Sequence, residues 1–239
     1  MSAIDWKKDE SVAVITMNDG ENRHHPGFVK AFLEVLDDIE KDASVSSVVV
    51  LSGDPKNWSQ GIDLNWVMDR RQANDLQAIK DFMYGINQVF RRILLYPMPV
   101  IACINGHAAA NGAILACACD FRFMRSDRGF FFFPEIDIGI PFLPGMIAFL
   151  KKAIPCQKFE EMTFTGRRYG ASELEPHQIL KACENEEVLI RETLAFAKSL
   201  NKKRGVFGEM KKRLHKSIVE IIDKEDPPFM EPVFLIGNN

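Results

Sequence analysis

Two short apolar runs, Ser47–Leu51 (SVVVL) and Val100–Ile104 (VIACI), limit what this chain can fold into more than anything else in it. Each ends in turn chemistry, Ser52-Gly53-Asp54-Pro55 after the first and Asn105-Gly106 after the second. A strand that is apolar at every position is covered on both faces, and such strands belong to parallel sheets flanked by helices. The stretch between them supplies a helix. Ile79, Phe82, Ile86, Val89, Phe90 and Ile93 recur at helical spacing over a segment predicted to run from Asp75 to Leu95, where Pro97 and Pro99 stop it.

The remaining pattern extends this frame. Ser11–Met17 alternates and reads as a strand, and Phe28, Phe32, Leu33, Leu36 and Ile39 predict a helix over Pro26–Asp42. Lys56–Gln72 reads as a long connection, and the polar stretch Asp63–Leu76 as a mobile segment that gates access. An apolar helix over Asn111–Cys119 and strands at Phe121–Met124 and Phe130–Phe133 follow. Beyond Pro141 the pattern is mostly helical. It includes Val188–Leu200 and a stripe of Met210, Leu214, Ile218, Ile221 and Ile222 within Phe207–Asp223. Strand–helix–strand units in the first half imply an α/β core with a largely parallel sheet. The expected division is a core over residues 1–185 and a helical region over 186–239. No internal sequence repeat is evident.

Composition excludes several classes. With 46% hydrophobic and 26% charged residues, the 239-residue chain can build a sizeable core. A net charge of −3 gives no global attraction to nucleic acid or to an anionic membrane. No apolar run reaches about 18 residues, so no membrane span is expected. Five cysteines, an odd number in apolar contexts, point to a reducing compartment. The N-terminal residues lack an apolar signal region and the C-terminal Gly-Asn-Asn is not a peroxisomal address. A cytoplasmic location is the expectation.

Three segments set glycines and backbone amides beside apolar strands: Asn57-Trp58-Ser59-Gln60-Gly61-Ile62-Asp63-Leu64, Asn105-Gly106-His107-Ala108-Ala109-Ala110-Asn111-Gly112, and Phe130–Phe133 followed by Pro134-Glu135-Ile136-Asp137-Ile138-Gly139. In this order and spacing they resemble the enoyl-CoA hydratase/isomerase (crotonase) superfamily, whose members carry Phe-Ser-x-Gly-x-Asp-Leu, then Asn-Gly-x-Ala-x-x-Gly-Gly, then Pro-Glu before a glycine. The resemblance runs from about Val12 to Phe207 and includes Thr165-Gly166. It is closest to the Δ3,Δ2-enoyl-CoA isomerases, whose plant peroxisomal type shares the Arg125-Ser126-Asp127-Arg128-Gly129-Phe130 pattern.

The resemblance implies a spiral of repeated ββα units with a C-terminal helical trimerisation region, assembled as a homotrimer or hexamer. It implies an acyl-CoA thioester substrate, coenzyme A arriving as part of that substrate, and no metal or further cofactor. By alignment the Ile62 and Asn111 amides form an oxyanion hole and Glu135 is the catalytic carboxylate. Gly61, Gly112, Trp58, Phe132 and Arg23 are expected around the substrate. Hydratases of the family use two glutamates, and here the first aligned position is Ile114, which cannot titrate. One carboxylate suffices to move a proton but not to add water, so isomerisation is the expected reaction. Hydration, thioester hydrolysis or decarboxylation, and a silent acyl-CoA-binding module, are the alternatives. Asn111, where the family usually has glycine, bears on the last of these. Asp63 is read as a structural hydrogen-bonding residue and Asp137 as a less favoured second acid. Cys117 and Cys119 are assigned to core packing, and the His24-His25 pair lacks partners at metal-ligand spacing.

Overall fold

The computed structural model describes residues 3–231, and in it nine strands divide between two sheets. The large sheet runs in the order β1 (Ile4–Asp9), β2 (Val12–Met17), β3 (Ser47–Ser52), β5 (Val100–Ile104), β7 (Phe121–Arg125) and β9 (Lys181–Cys183). Only the β1–β2 pair is antiparallel. The small sheet, β4 (Asn57–Ser59), β6 (His107–Ala109) and β8 (Phe131–Phe132), is parallel throughout. Each of the pairs β3–β4, β5–β6 and β7–β8 therefore spends its first strand in the large sheet and its second in the small one before entering helix. That is the expected spiral of ββα units.

Helices α1 (Pro26–Lys41), α2 (Leu64–Gln72), α3 (Leu76–Leu94) and α4 (Asn111–Ala118) alternate with these strands. The short turn α5 (Glu135–Ile138) follows β8. Then come α6 (Pro144–Ala153), α7 (Cys156–Thr165), α8 (Ala171–Leu174), α9 (Glu186–Ser199), α10 (Arg204–Leu214), α11 (Lys216–Glu225) and α12 (Pro227–Met230). The last eight residues of the helical region expected over 186–239, 232–239, lie outside the described residues.

The apolar runs are buried on both faces. Ala13, Ile15, Val48, Val50, Val100, Ala102 and Ile104 join the main core under α1, α3 and α4, while Val12, Val49, Ile101 and Cys103 pack with Leu189 and Ala197 of α9. Period-two alternation within each strand feeds two apolar layers.

Three sequence expectations change. The connection Lys56–Gln72 contains β4 and α2, and the segment expected to be mobile is helical over Leu64–Gln72. Asp63 caps it, accepting from the Asn65 and Trp66 amides, so a three-residue strand and a weakly amphipathic helix escape a periodicity search. Phe207–Asp223 is two helices broken at His215, and the expected stripe divides: Ile218 and Ile222 are buried, whereas Met210 and Leu214 face outward. β1 was not foreseen; its exposed, charged second half masks the alternation.

Candidate active site

Because β4, β6 and β8 are parallel neighbours, the residues just beyond their carboxyl ends converge. Gln60-Gly61-Ile62 follows β4, Ala110-Asn111 follows β6, and Phe133-Pro134-Glu135 follows β8. This is where open parallel sheets characteristically place ligands. A cavity of about 300 Å³ opens there, with Ile62, Asn111, Phe132 and Glu135 in its wall. Ile62, Met83, Ile86, Ile114, Phe142 and Leu143 make much of its lining apolar. A larger surface trough near 800 Å³ lies between α1, α3 and α10, but its charged lining, such as Arg92 against Asp37 and Glu40, is engaged in ion pairs.

Two residues that line this cavity carry backbone amides without an acceptor. Asn111 is the first residue of α4, so its amide has no carbonyl one turn back, and among the described residues neither it nor the Ile62 amide has an acceptor. The loops touch: a Cβ on Gly61 would stand 2.8 Å from the Asn111 nitrogen and 3.0 Å from the Ala109 oxygen. Gly61 has φ +78°, which glycine alone adopts freely. Gly112 is pressed equally hard, its missing Cβ 2.4 Å from the Ser59 oxygen. Both glycines thus permit close backbone approach, and neither is among the residues that line the cavity. Ala110, between the strand and α4, sits at φ +49°, ψ −128°, a strained conformation for a residue with a Cβ.

Glu135 opens α5 and lines the same cavity. It is 8% exposed and its Oε2 is buried without a hydrogen-bond partner. Burial pushes its pKa up to about 7, against a smaller lowering by its own backbone amide. Phe131, Phe132 and Phe133 are buried just before it, the apolar setting that the phenylalanine run implied. Ile114 shares the cavity wall, one turn into α4. Asp137 is not a second acid. The segment forms a helical turn rather than an extended strand, so Asp137 is carried outward against Gly166, where a Cβ would stand 2.4 Å from its Oδ2.

Phe132 and Arg23 line the cavity, Arg23 half-exposed and paired with Glu21 at 2.9 Å. The Arg168 guanidinium lies 4.9 Å from the Phe132 ring centroid, on the same wall. Trp58 does not reach the site. As the middle residue of β4 it points into the core, fully buried, and its indole donates to the Val50 carbonyl at 3.2 Å. Sequence reasoning missed His24, considered only as a metal ligand. Its side chain is 2% exposed and meets Asn111 at 2.7 Å. Its neighbour His25 instead caps α1, Nδ1 accepting from the Gly27 and Phe28 amides. Two adjacent histidines at a helix start carry no sequence mark to separate these tasks. Among the described residues no cluster of three or more His, Cys, Asp or Glu is arranged to hold a metal, and no helix is long and apolar enough to cross a membrane.

Comparison with known proteins agrees with this geometry. The sequence profile of the enoyl-CoA hydratase/isomerase family matches residues 7–224. Enoyl-CoA delta isomerase 3 of Arabidopsis thaliana is 27% identical over 93% of this chain and 95% of its own length. The peroxisomal enoyl-CoA delta isomerase 2 of the same plant is 27% identical over 97% and 99%. A putative enoyl-CoA hydratase of Thermus thermophilus is 33% identical over 68% of this chain and 63% of its own. The fold matches the crystal structure of an enoyl-CoA hydratase/isomerase family protein from Pseudomonas syringae with a TM-score of 0.87 at 23% identity, covering 96% and 97% of the two chains.

Proposed function

We propose that this chain, which belongs to the enoyl-CoA hydratase/isomerase (crotonase) family, is an isomerase that moves the double bond of a 3-enoyl-CoA to the 2-position through Glu135. The observation that carries this reading is the lone carboxylate among the residues lining the cavity: burial pushes the Glu135 pKa up to about 7, and Ile114, which the family resemblance aligns with the hydratases' first glutamate, cannot titrate. A carboxylate of that pKa is matched to taking and returning a proton near neutral pH.

In the proposed reaction the thioester oxygen accepts hydrogen bonds from the Ile62 and Asn111 amides. Glu135 removes a proton from C2, and the electron pair of that bond moves to form C1=C2 with negative charge on oxygen. The resulting dienolate keeps its C3=C4 bond until Glu135 delivers the proton to C4, which leaves C2=C3. Preorganised amides favour the charged intermediate without reorienting, and one such donor is typically worth about 2.7–4 kcal/mol of barrier. The dipole of α4 adds to the effect at its amino end. The apolar wall accommodates the acyl chain, while Arg23 and Arg168 at the rim suit the phosphates of coenzyme A. The exposed stripe Val206, Met210 and Leu214 on α10 fits the homotrimer or hexamer expected of the family. The described cysteines, all unpaired, fit a cytoplasmic location, although two isomerase relatives are named as peroxisomal.

Hydration of a 2-enoyl-CoA is the second reading, favoured by the hydratase name of the Thermus relative. Turnover of cis- and trans-3-enoyl-CoA esters of C6 to C12 chains, measured beside hydration of the 2-enoyl esters, separates the two. Isomerisation by the wild type and its loss in Glu135→Gln is the expected result. Hydration outpacing isomerisation would overturn the assignment in favour of the second reading. Saturable binding without either reaction would leave a silent module.

A further inference from the structure

We propose that His24 is a positioning residue for the oxyanion hole, tying both of its backbone donors into one hydrogen-bonded frame. His24 is the one described residue bonded to both halves of the hole. Its backbone brackets Ile62: the His24 amide donates to the Gly61 carbonyl at 2.7 Å, and the Asp63 amide donates to the His24 carbonyl at 2.9 Å. Its side chain joins the second donor to the first loop. Nδ1 lies 2.7 Å from Asn111 Nδ2, and Nε2 lies 3.0 Å from Ser59 Oγ.

The donor inventory fixes the polarity of this chain. Ser59 Oγ spends its single proton on the Asn22 carbonyl, so His24 Nε2 carries the ring proton and donates to Ser59, and Nδ1 is left to accept from the Asn111 side-chain amide. Ser59 Oγ then accepts from His24 and from the Gly61 amide at 3.2 Å, and donates to the Asn22 carbonyl at 2.8 Å. A protonated imidazole would turn Nδ1 into a donor facing a donor and break the chain. Burial, together with the neighbouring His25, holds the His24 pKa down to about 3, so the neutral ring is the working form. The ring is further fixed by stacking on Phe28 at a centroid distance of 4.3 Å.

Asn111 thereby acquires a purpose that a glycine there could not serve. Its main chain offers the donor and its side chain anchors that donor to the loop bearing the other. The strain at Ala110 and the tight approach of Gly61 make such an anchor useful, since the Ile62 loop is held here only by its single bridge to His24 and Asn111 lies just past the end of β6. A donor displaced by about 1 Å can lose on the order of 10²-fold in rate.

This inference rests on the thioester-enolate reading of the site and is tested on enolate formation itself. A 3-ketoacyl-CoA bound in an oxyanion hole ionises to its enolate, which absorbs in the near ultraviolet, so the band reports donor placement without turnover. The variants His24→Phe and Asn111→Ala cut the same hydrogen bond from opposite ends, and their thermal unfolding is followed alongside. The expected result is a folded protein in each case that still binds free coenzyme A, which has no thioester oxygen to place in the hole, within about threefold. The fraction of 3-ketoacyl-CoA ionised at saturation, expressed as an equilibrium constant, should fall roughly tenfold to a hundredfold, with the double variant no worse than the poorer single. Full enolate formation in both variants, or losses that simply multiply, would overturn the role of His24. No enolate band in the wild type would sink the enolate reading and this inference with it.

Discussion

The two walls of the cavity are built on opposite principles. On the amide wall the side chains that hold the Ile62 and Asn111 loops are tied together: Ser59 Oγ has three close polar partners, His24 uses both ring nitrogens, and Asn22 bonds Ser52 and the Trp58 carbonyl, while Asn111 Oδ1 is buried without a partner among the described residues. On the carboxylate wall Glu135 Oε2 is buried with no partner at all. A group that must present a fixed dipole to a developing charge gains from being tied down, because it then needs no reorganisation when charge appears. A group that must hold a proton at one moment and release it at the next gains from having no partner that favours either state. The difference between the walls is therefore a difference between stabilising charge and moving a proton.

The comparison is broken most severely at the carboxylate. Glu135→Gln keeps the shape but cannot accept a proton, and isomerisation should fall by about 10²–10⁴-fold in kcat while acyl-CoA binding is little changed. A smaller loss attacks the other wall. Gly61→Ala forces a Cβ to 2.8 Å from the Asn111 nitrogen and should lower kcat by roughly 10²-fold, with a destabilisation of about 1–3 kcal/mol seen in denaturant unfolding.

The buried carboxyl also leaves a mark on stability. Its pKa is about 7 in the fold against 4.5 when exposed, so the folded state holds the proton more tightly. The resulting stabilisation is complete below pH 4.5 and is lost as pH rises to about 7, amounting to about 3 kcal/mol. Unfolding free energies of Glu135→Gln and wild type should therefore differ more at pH 8 than at pH 4, with the variant gaining at high pH. The same ionisation predicts a kcat/KM that rises with pH through about 7, because the base must be unprotonated to act.

Some of this was legible in the chain itself and some was not. The doubly buried strands Ser47–Ser52 and Val100–Ile104 announced the parallel sheet, since a run with no polar face has nowhere else to go. Glu135, Ile62 and Asn111 fell together because short motifs at strand ends survive in sequence. What did not survive was anything decided by tertiary direction. Trp58 and Phe132 are both aromatic residues in strands of the small sheet, yet one points into the core and the other to the cavity, and strands of three and two residues are too short for alternation to tell them apart. His24 and Asn111 are 87 positions apart, and only the close approach of the two loops makes them a pair. The three ββα units likewise left no repeat in the sequence, because what repeats is the path of the backbone.

The smallest expected effects test the frame alone. Ala110→Gly removes the strain at φ +49° and should stabilise the fold by about 1 kcal/mol in thermal unfolding, at equal or slightly lower kcat. Asp63→Ala removes the cap of α2 and should cost about 1 kcal/mol while leaving the fraction of enolate formed nearly unchanged.

The central claim is that one carboxylate both removes and returns the proton, and following an isotope tests it most directly. A 3-enoyl-CoA deuterated at C2 is turned over in ordinary water, and the 2-enoyl product is examined for deuterium at C4. The account predicts that part of the label reappears at C4, carried there by Glu135, and that Glu135→Gln forms product about 10²–10⁴-fold more slowly. Product free of deuterium at C4, together with turnover in Glu135→Gln close to the wild-type rate, would contradict it.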